Sequence, residues 1–391
     1  MKIFFSPRLS PILAVLLWVF GCASLSAQVF LEKKDPYTGE TAVYEQTKVF
    51  ADGTPMTKAK ADGVMYLVKD NDFYRRRIEN HINVKWFGVK GDGDKNDLGT
   101  DDTKALENAV KILSQIYKGY DLSGDNLYGG FTLYFPAGKY IVSKTLVLPS
   151  NISVLGASPY TTVIHAKKPG FIFTNIAGFK PNGVDVIMNH NITIRNLTLK
   201  QGGIEFQQAV SSRIEHVRIL NLFGKGTDTG ISIKLSVDLR ISDVKIFSST
   251  GYGILFQESV GGKASTTTSF DKVWVAHCRV GMLIDGSDGS YGIVSSNISN
   301  SIFEYNTTGI QIAGKVANFS LRDLHFEQNT ENALAITGDV NLVLENIWGD
   351  KVGAMNISQT GRQSGQNVIY LRNFNIPYKV NTAFKGKIVT D

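Results

Sequence analysis

Two glutamates occupy near-identical settings, Phe303-Glu304-Tyr305-Asn306 and Phe326-Glu327-Gln328-Asn329. If the segments are adjacent parallel strands, their backbones lie about 4.8 Å apart. Carboxylates that close repel, so one pKa should rise, as a general acid beside a base or nucleophile requires. A separation of about 5 Å also suits the carboxyl pair of a retaining glycosidase. The structural alternative is that each glutamate accepts backbone N–H groups at a recurring turn. Asp285 is a third catalytic candidate. Lys234, Gln257, Trp274 and His325 are candidates for substrate binding, Trp274 (like Trp348) because an indole face can stack on a sugar ring. Lys234, Arg218 and Lys245 could instead neutralise a uronate while a base takes its α-proton, so elimination stands beside hydrolysis. His277 reads as a turn residue.

What must position these groups is a phrase repeated from Ile194 to Asn375. A short apolar strand meets a polar corner (Asn196, His216, Asp243, Lys272, Asn300, Asp323, Asn346, Asn373). A second strand and a turn follow, then a small residue opening a third strand: Gly203-Ile204, Gly230-Ile231, Gly253-Ile254, Gly281-Met282, Gly309-Ile310, Ala333-Leu334 and Ala354-Met355. The period of about 21–28 residues is that of a solenoid. Ile204/Phe206, Ile231/Ile233, Ile254/Phe256, Met282/Ile284, Ile310/Ile312 and Leu334/Ile336 alternate in one phase, hence on one face. One repeat cannot bury that face alone, whereas a stack makes a continuous core. The pattern predicts an all-β fold: a parallel β-helix with three strands per coil. Alternation then turns Lys234, Gln257 and Asp285 outward on the third strands. On the second strands it turns Arg218, Lys245, Trp274, Ile302, His325 and Trp348 outward. The longest turns, Gln257–Ser269 and Asp285–Ser296, favour the middle coils as the site, bordered by Glu304 and Glu327.

The 391 residues carry a formal net charge of +6 and 43% hydrophobic residues, ordinary for a globular chain. The mild positive excess permits an acidic partner without demanding one, and a nucleic-acid partner is not expected. Lys2 and Arg8 precede an apolar run, Ile12 to Phe20, too short to span a bilayer. With Leu25-Ser26-Ala27 as the cleavage site, residues 1–27 read as a signal peptide of a secreted or periplasmic bacterial protein. A lipid anchor at Cys22 is disfavoured by bulky Phe20. Removing the peptide leaves Cys278 as the remaining cysteine, so no intramolecular disulfide is expected. No later segment reads as a membrane span.

Residues 28–80 read as an arm or small subdomain of short strands, and 81–391 as the β-helix domain. Thr100 or Asp101 can accept from helix N–H groups ahead of an amphipathic helix near 102–117. That helix would cap the open solenoid end. Asp92, Asp94, Asn96 and Asp97 could hold Ca²⁺, but a solvated acidic turn fits better, because Asp97 stands where an EF-hand loop needs glycine. No cofactor is expected otherwise.

Phe87-Gly88-Val89-Lys90-Gly91-Asp92-Gly93, then Asp101-Asp102-Thr103 and a helix, resembles the opening motif of the pectate lyase superfamily of right-handed parallel β-helices. The branch resembled includes rhamnogalacturonase-like enzymes and tailspike-like depolymerases. Phe131 to Tyr140 and Ile152 to Gly156 match its next two elements, and the likeness covers about residues 80–375. One departure is the longer link from Asp94 to Gly99. The resemblance implies polysaccharide in a groove along the strands. It does not fix chemistry, because fold does not fix function. The Asp-Asp and Gly-His-Gly elements of polygalacturonases are absent from the coils. Val273-Trp274-Val275-Ala276-His277 resembles the Trp-Ile-Asp-His-like element of calcium-dependent pectate lyases, with Ala276 in place of the acid. The expected function is an exported protein cleaving a polysaccharide, an acidic one included, by hydrolysis or β-elimination. The alternative is non-catalytic carbohydrate binding on the same scaffold. Monomer and trimer both stay open.

Overall fold

The computed structural model of the chain describes residues 29–117, 130–175, 189–221, 228–258, 264–287, 291–358, 367–382 and 384–390. The expected signal peptide and Cys22 lie outside these, as do residues 259–263 and 288–290 of the two long turns. Two compact units are present. In the first, residues 39–77 and the chain up to Asp35 form a four-stranded antiparallel sheet: Phe30–Lys34, Thr41–Thr47, Asp72–Arg76, Tyr66–Lys69. Ala42, Tyr44, Leu67 and Tyr74 are its small core. Asp35 and Arg76 form a buried ion pair at 2.8 Å.

The second unit, residues 36–38 and 78–391, is a parallel β-solenoid. Successive repeats pair in register: Ile204 with Ile231, Ile231 with Ile254, Ile254 with Met282, Met282 with Ile310 and Ile310 with Leu334. These residues and their alternating partners are at most 1% exposed. Their stacked side chains supply the apolar burial that each short strand lacks alone.

Each corner residue has a left-handed backbone, from Asn373 (φ 43°) to Asn196 (φ 58°). Asn, Asp and His tolerate that conformation better than most residues, which accounts for the corner composition; Lys272 (φ 52°) is the exception in type. The side chains also join coil to coil. Asn300 donates to Asp271 at 2.8 Å, Asn346 to Asp323 at 2.9 Å and Asn373 to Asn346 at 2.9 Å.

The helix runs Thr103–Ile116, with Leu106, Ala109 and Leu113 fully buried. The tandem aspartates before it divide two tasks. Asp101 accepts from the Thr103 N–H at 3.1 Å and its hydroxyl at 2.6 Å, serving the free amide at the helix start. Burial pushes the Asp101 carboxyl up, but hydrogen bonds from Thr103, Ser143 and Lys167 outweigh it and leave the group well below the usual carboxylate range. The Asp102 carboxylate turns back and accepts from the Lys90 and Gly91 amides at 2.7 and 3.0 Å. The Gly-Asp-Gly and Asp-Asp-Thr segments are therefore one hydrogen-bonded unit. Among the described residues, no helix is long and apolar enough to cross a membrane.

Candidate active site

The outer face of the second strands carries two columns of side chains, set by strict register. One reads Arg218, Lys245, Trp274, Ile302, His325, Trp348, each paired with the next. The other reads Phe247, Ala276, Glu304, Glu327, Asp350. Val273, Val275, Phe303 and Phe326 alternate with these positions and are buried, so the columns lie on the outer face, although the small Ala276 is fully covered there.

Glu304 and Glu327 are directly paired, one strand spacing or about 4.8 Å apart in backbone. Their partners differ. The Trp274 indole N–H donates to Glu304 Oε1 at 2.9 Å. The Gln328 amide lies 3.4 Å from Glu327 Oε1, and His325 Nε2 lies 3.9 Å from Glu327 Oε2. Neither carboxylate accepts a backbone N–H among the described hydrogen bonds. The turn is braced by the asparagines of the same motif. Asn306 accepts from the Cys278 amide at 2.9 Å and donates to the Val275 carbonyl at 3.1 Å. Asn329 accepts from the Asn306 amide at 3.1 Å and donates to the Phe303 carbonyl at 2.8 Å. Both asparagines are 1% exposed, so an internal ladder holds the backbone while the glutamates project outward.

Aromatic and cationic groups flank the pair. Lys245 Nζ sits 5.1 Å from the Trp274 ring centre, and Phe247 meets Trp274 edge-on at 5.2 Å. His325 meets Trp348 edge-on at 4.5 Å, and Trp348 is 48% exposed. Beside the columns lies an open depression of about 350 Å³ lined by Ser249, His277, Arg279, Tyr305, Thr307 and Thr330 among others. The His277 and Tyr305 rings stack at 5.1 Å, both on left-handed turn residues. His277 is thus a turn residue, as its sequence setting suggests. Tyr305, Arg279 and Asp350 were not picked out from the sequence. Asp350 could have been, because Trp348-Gly349-Asp350 aligns with His325-Phe326-Glu327 once the repeats are stacked.

The family described as rhamnogalacturonase A/epimerase, pectate lyase-like, matches residues 81–362. The chain belongs to this family. The preneck appendage protein of Bacillus phage PZA is 24% identical over 302 residues, covering 73% of this chain and 30% of that protein. The chain therefore spans under a third of that relative's length. Among solved structures, the Acinetobacter baumannii phage AM24 tailspike aligns over 93% of this chain and 63% of its own, with TM-score 0.53 and 13% identity. An exopolygalacturonase of Thermotoga maritima aligns over 83% of this chain and 93% of its own, with TM-score 0.50 and 12% identity. At these identities the structural likenesses speak for the fold alone.

Within this pectate lyase-like chain, the remaining candidates fall on a different strand ladder. Lys234 pairs with Gln257, and Gln257 with Asp285. The Gln257 amide donates to Asp285 Oδ2 at 3.3 Å and the Ser287 N–H to Oδ1 at 3.1 Å. Asp285 pairs onward with Ala313, so it has no carboxylate neighbour in register. The seven candidates thus form two groups. Trp274, Glu304, His325 and Glu327 lie on the second-strand columns; Lys234, Gln257 and Asp285 lie on the third. The repeat pattern itself assigns the two groups to different strands, and the register keeps them on separate ladders.

The acidic turn is also accounted for. Both Asp92 oxygens accept from Thr100, at 2.8 Å each. Asp94 Oδ1 accepts from the Asn96 and Leu98 amides, both at 2.8 Å. Asp97 takes Lys139 at 2.9 Å and Lys200 at 2.8 and 2.6 Å. Burial pushes the Asp97 carboxyl up, but the Lys200 and Lys139 hydrogen bonds outweigh it and hold it below its ordinary value. A Ca²⁺ ion here would have to displace two ammonium groups, and the donor set does not fit one. Cys278 is buried, with its thiol pushed up to about 11 by burial, as for a structural cysteine.

Proposed function

We propose that this chain binds a polysaccharide along the outer face of its second strands and cleaves it with Glu304 and Glu327. The observation that carries the reading is the division of labour in the Phe-Glu-x-Asn motif. Asn306 and Asn329 brace the turn, and the paired glutamates are left facing out. In hydrolysis, Glu304, oriented by the Trp274 indole, serves as nucleophile or base. Glu327, beside His325, serves as the acid. The strand pairing sets their backbones about 4.8 Å apart, a spacing from which the two carboxyls can reach the separation of a retaining double displacement. Trp274 and Trp348 offer faces for sugar rings, and Lys245 and Arg218 offer positive charge to an acidic glycan. The family's own description supports polysaccharide as the substrate class. The accompanying fold reading is a right-handed coil of three strands per turn, capped at its amino end by the 103–116 helix. The accompanying setting is outside the cytoplasm, through the apolar amino-terminal segment.

Binding without cleavage is the second reading. It is favoured by the aromatic–cation pair of Tyr160 and Arg218, 4.9 Å apart, which extends the face away from the carboxylates. Both readings require Trp274 to touch glycan. Trp274→Ala should weaken retention in affinity electrophoresis through a bound polysaccharide by about tenfold, the loss of one aromatic contact. Unchanged retention of a folded variant would place the glycan elsewhere.

A further inference from the structure

The second-strand columns continue toward the amino end, where their chemistry inverts. Lys200 pairs with Leu220, His165 with Lys200, and Leu220 with Phe247. Lys139 pairs with Val163, two residues before His165. The columns therefore run from Lys139, His165, Lys200, Arg218 and Lys245 at one end to Glu304, Glu327 and Asp350 at the other. Lys200 is four strand spacings from Glu304, about 19 Å.

At the cationic end, three side chains converge on one carboxylate, that of Asp97. Lys200 binds both its oxygens, Lys139 binds one, and His165 Nδ1 stands 3.7 Å from Oδ1. His165 is 5% exposed, and its Nδ1 has no hydrogen-bond partner among the described residues. A buried ring nitrogen without a partner is a cost that a closer ligand would relieve. Burial holds the imidazole below its ordinary value, so it is neutral at pH 7 and able to donate one hydrogen bond. The carboxylate is delivered by a projecting turn. The stem is fixed by Asp92 on Thr100 and by the Gly93 amide on the Lys139 carbonyl at 2.9 Å. The tip next to Asp97 is exposed, with Leu98 at 66%. Asp97 itself holds a left-handed backbone, φ 63°. With Asp97 in place the cluster of two lysines carries a net charge of +1; without it, +2.

We propose that Lys139, Lys200 and His165 form a carboxylate-binding subsite of the glycan face, and that Asp97 is a tethered occupant which a sugar carboxylate displaces. This rests on the polysaccharide reading above and adds to it a place, remote from Glu304 and Glu327, where a uronate is selected. Exchange of one carboxylate for another keeps the lysine contacts, so the turn acts as a competitor whose removal exposes the subsite.

The test compares wild type, Asp97→Ala and Asp97→Ala/Lys200→Ala, each first shown to fold by its melting curve. Binding of a galacturonate oligomer and of a neutral galactose oligomer of equal length is measured by calorimetry at two salt concentrations. Asp97→Ala should bind the acidic oligomer about tenfold more tightly than wild type, with the gain shrinking at high salt. The neutral oligomer should bind unchanged, and Lys200→Ala should abolish the gain. Equal gains for both oligomers would make the turn a steric cover and overturn the proposal. So would an unchanged or weaker affinity for the acidic oligomer, including no binding by Asp97→Ala. Turnover of polysaccharide by wild type is read separately, so cleavage without an Asp97 effect would sink this inference while sparing the glutamate pair.

Discussion

Glu304→Gln and Glu327→Gln should each lower turnover of the true polysaccharide by a factor on the order of a hundred or more, the usual loss for a general acid, base or nucleophile. Glutamine keeps the shape and, at Glu304, an oxygen to accept the Trp274 N–H. It cannot carry the charge or the proton. Because Asn306 and Asn329 hold the turn, both variants should melt within a few degrees of the parent. Asp285→Asn is the internal control: its carboxylate sits on another ladder without an acidic neighbour, and its turnover should stay near the parent's. If Asp285→Asn alone loses turnover, the chemistry belongs to the third strands. If the two glutamate variants lower stability together and keep turnover, they brace the turn after all.

Leu106→Asp should abolish the yield of folded protein. Leu106 is fully buried on the apolar face of the helix, in line with Ala109 and Leu113. An aspartate there places an unpaired charge in the core, at a cost on the order of several kcal/mol, comparable to the whole stability of many domains. If the helix caps the solenoid, the loss also exposes apolar core and strand edges to aggregation. A variant that folds in the parent's yield and melts like the parent would show that the helix is not a cap.

The repeats were legible because the stack imposes two strong rules on the sequence. Inward positions must be apolar, as at Ile233, Phe256 and Ile284, and corners must accept a left-handed backbone, as at Asn196 and Asp243. The glutamate register followed directly, since equal spacing from the corner puts Glu304 against Glu327. The division of the candidates between two ladders was legible too, because Asp285 falls on a third strand of the repeat and Glu304 on a second. Spacing could not show that Trp274, one coil back, reaches Glu304, or that Asp97 reaches Lys200 across 103 positions of sequence. Those contacts are made by long side chains across the stack, and a solenoid brings distant segments together at every coil. Asp92 and Asp94 are exposed, in keeping with a solvated acidic turn, and Asp97 differs because strands far along the chain supply its two lysines.

Cleavage of polysaccharide by the paired glutamates on the outer second-strand face can be tested in one assay. The most direct measurement incubates the purified protein and the Glu304→Gln/Glu327→Gln variant with a panel of neutral and acidic polysaccharides. New reducing ends and the absorbance of unsaturated uronates are followed together. New reducing ends are expected from at least one polysaccharide with the parent and from none with the variant. Equal release by parent and variant, or no release by the parent from any glycan, would contradict it.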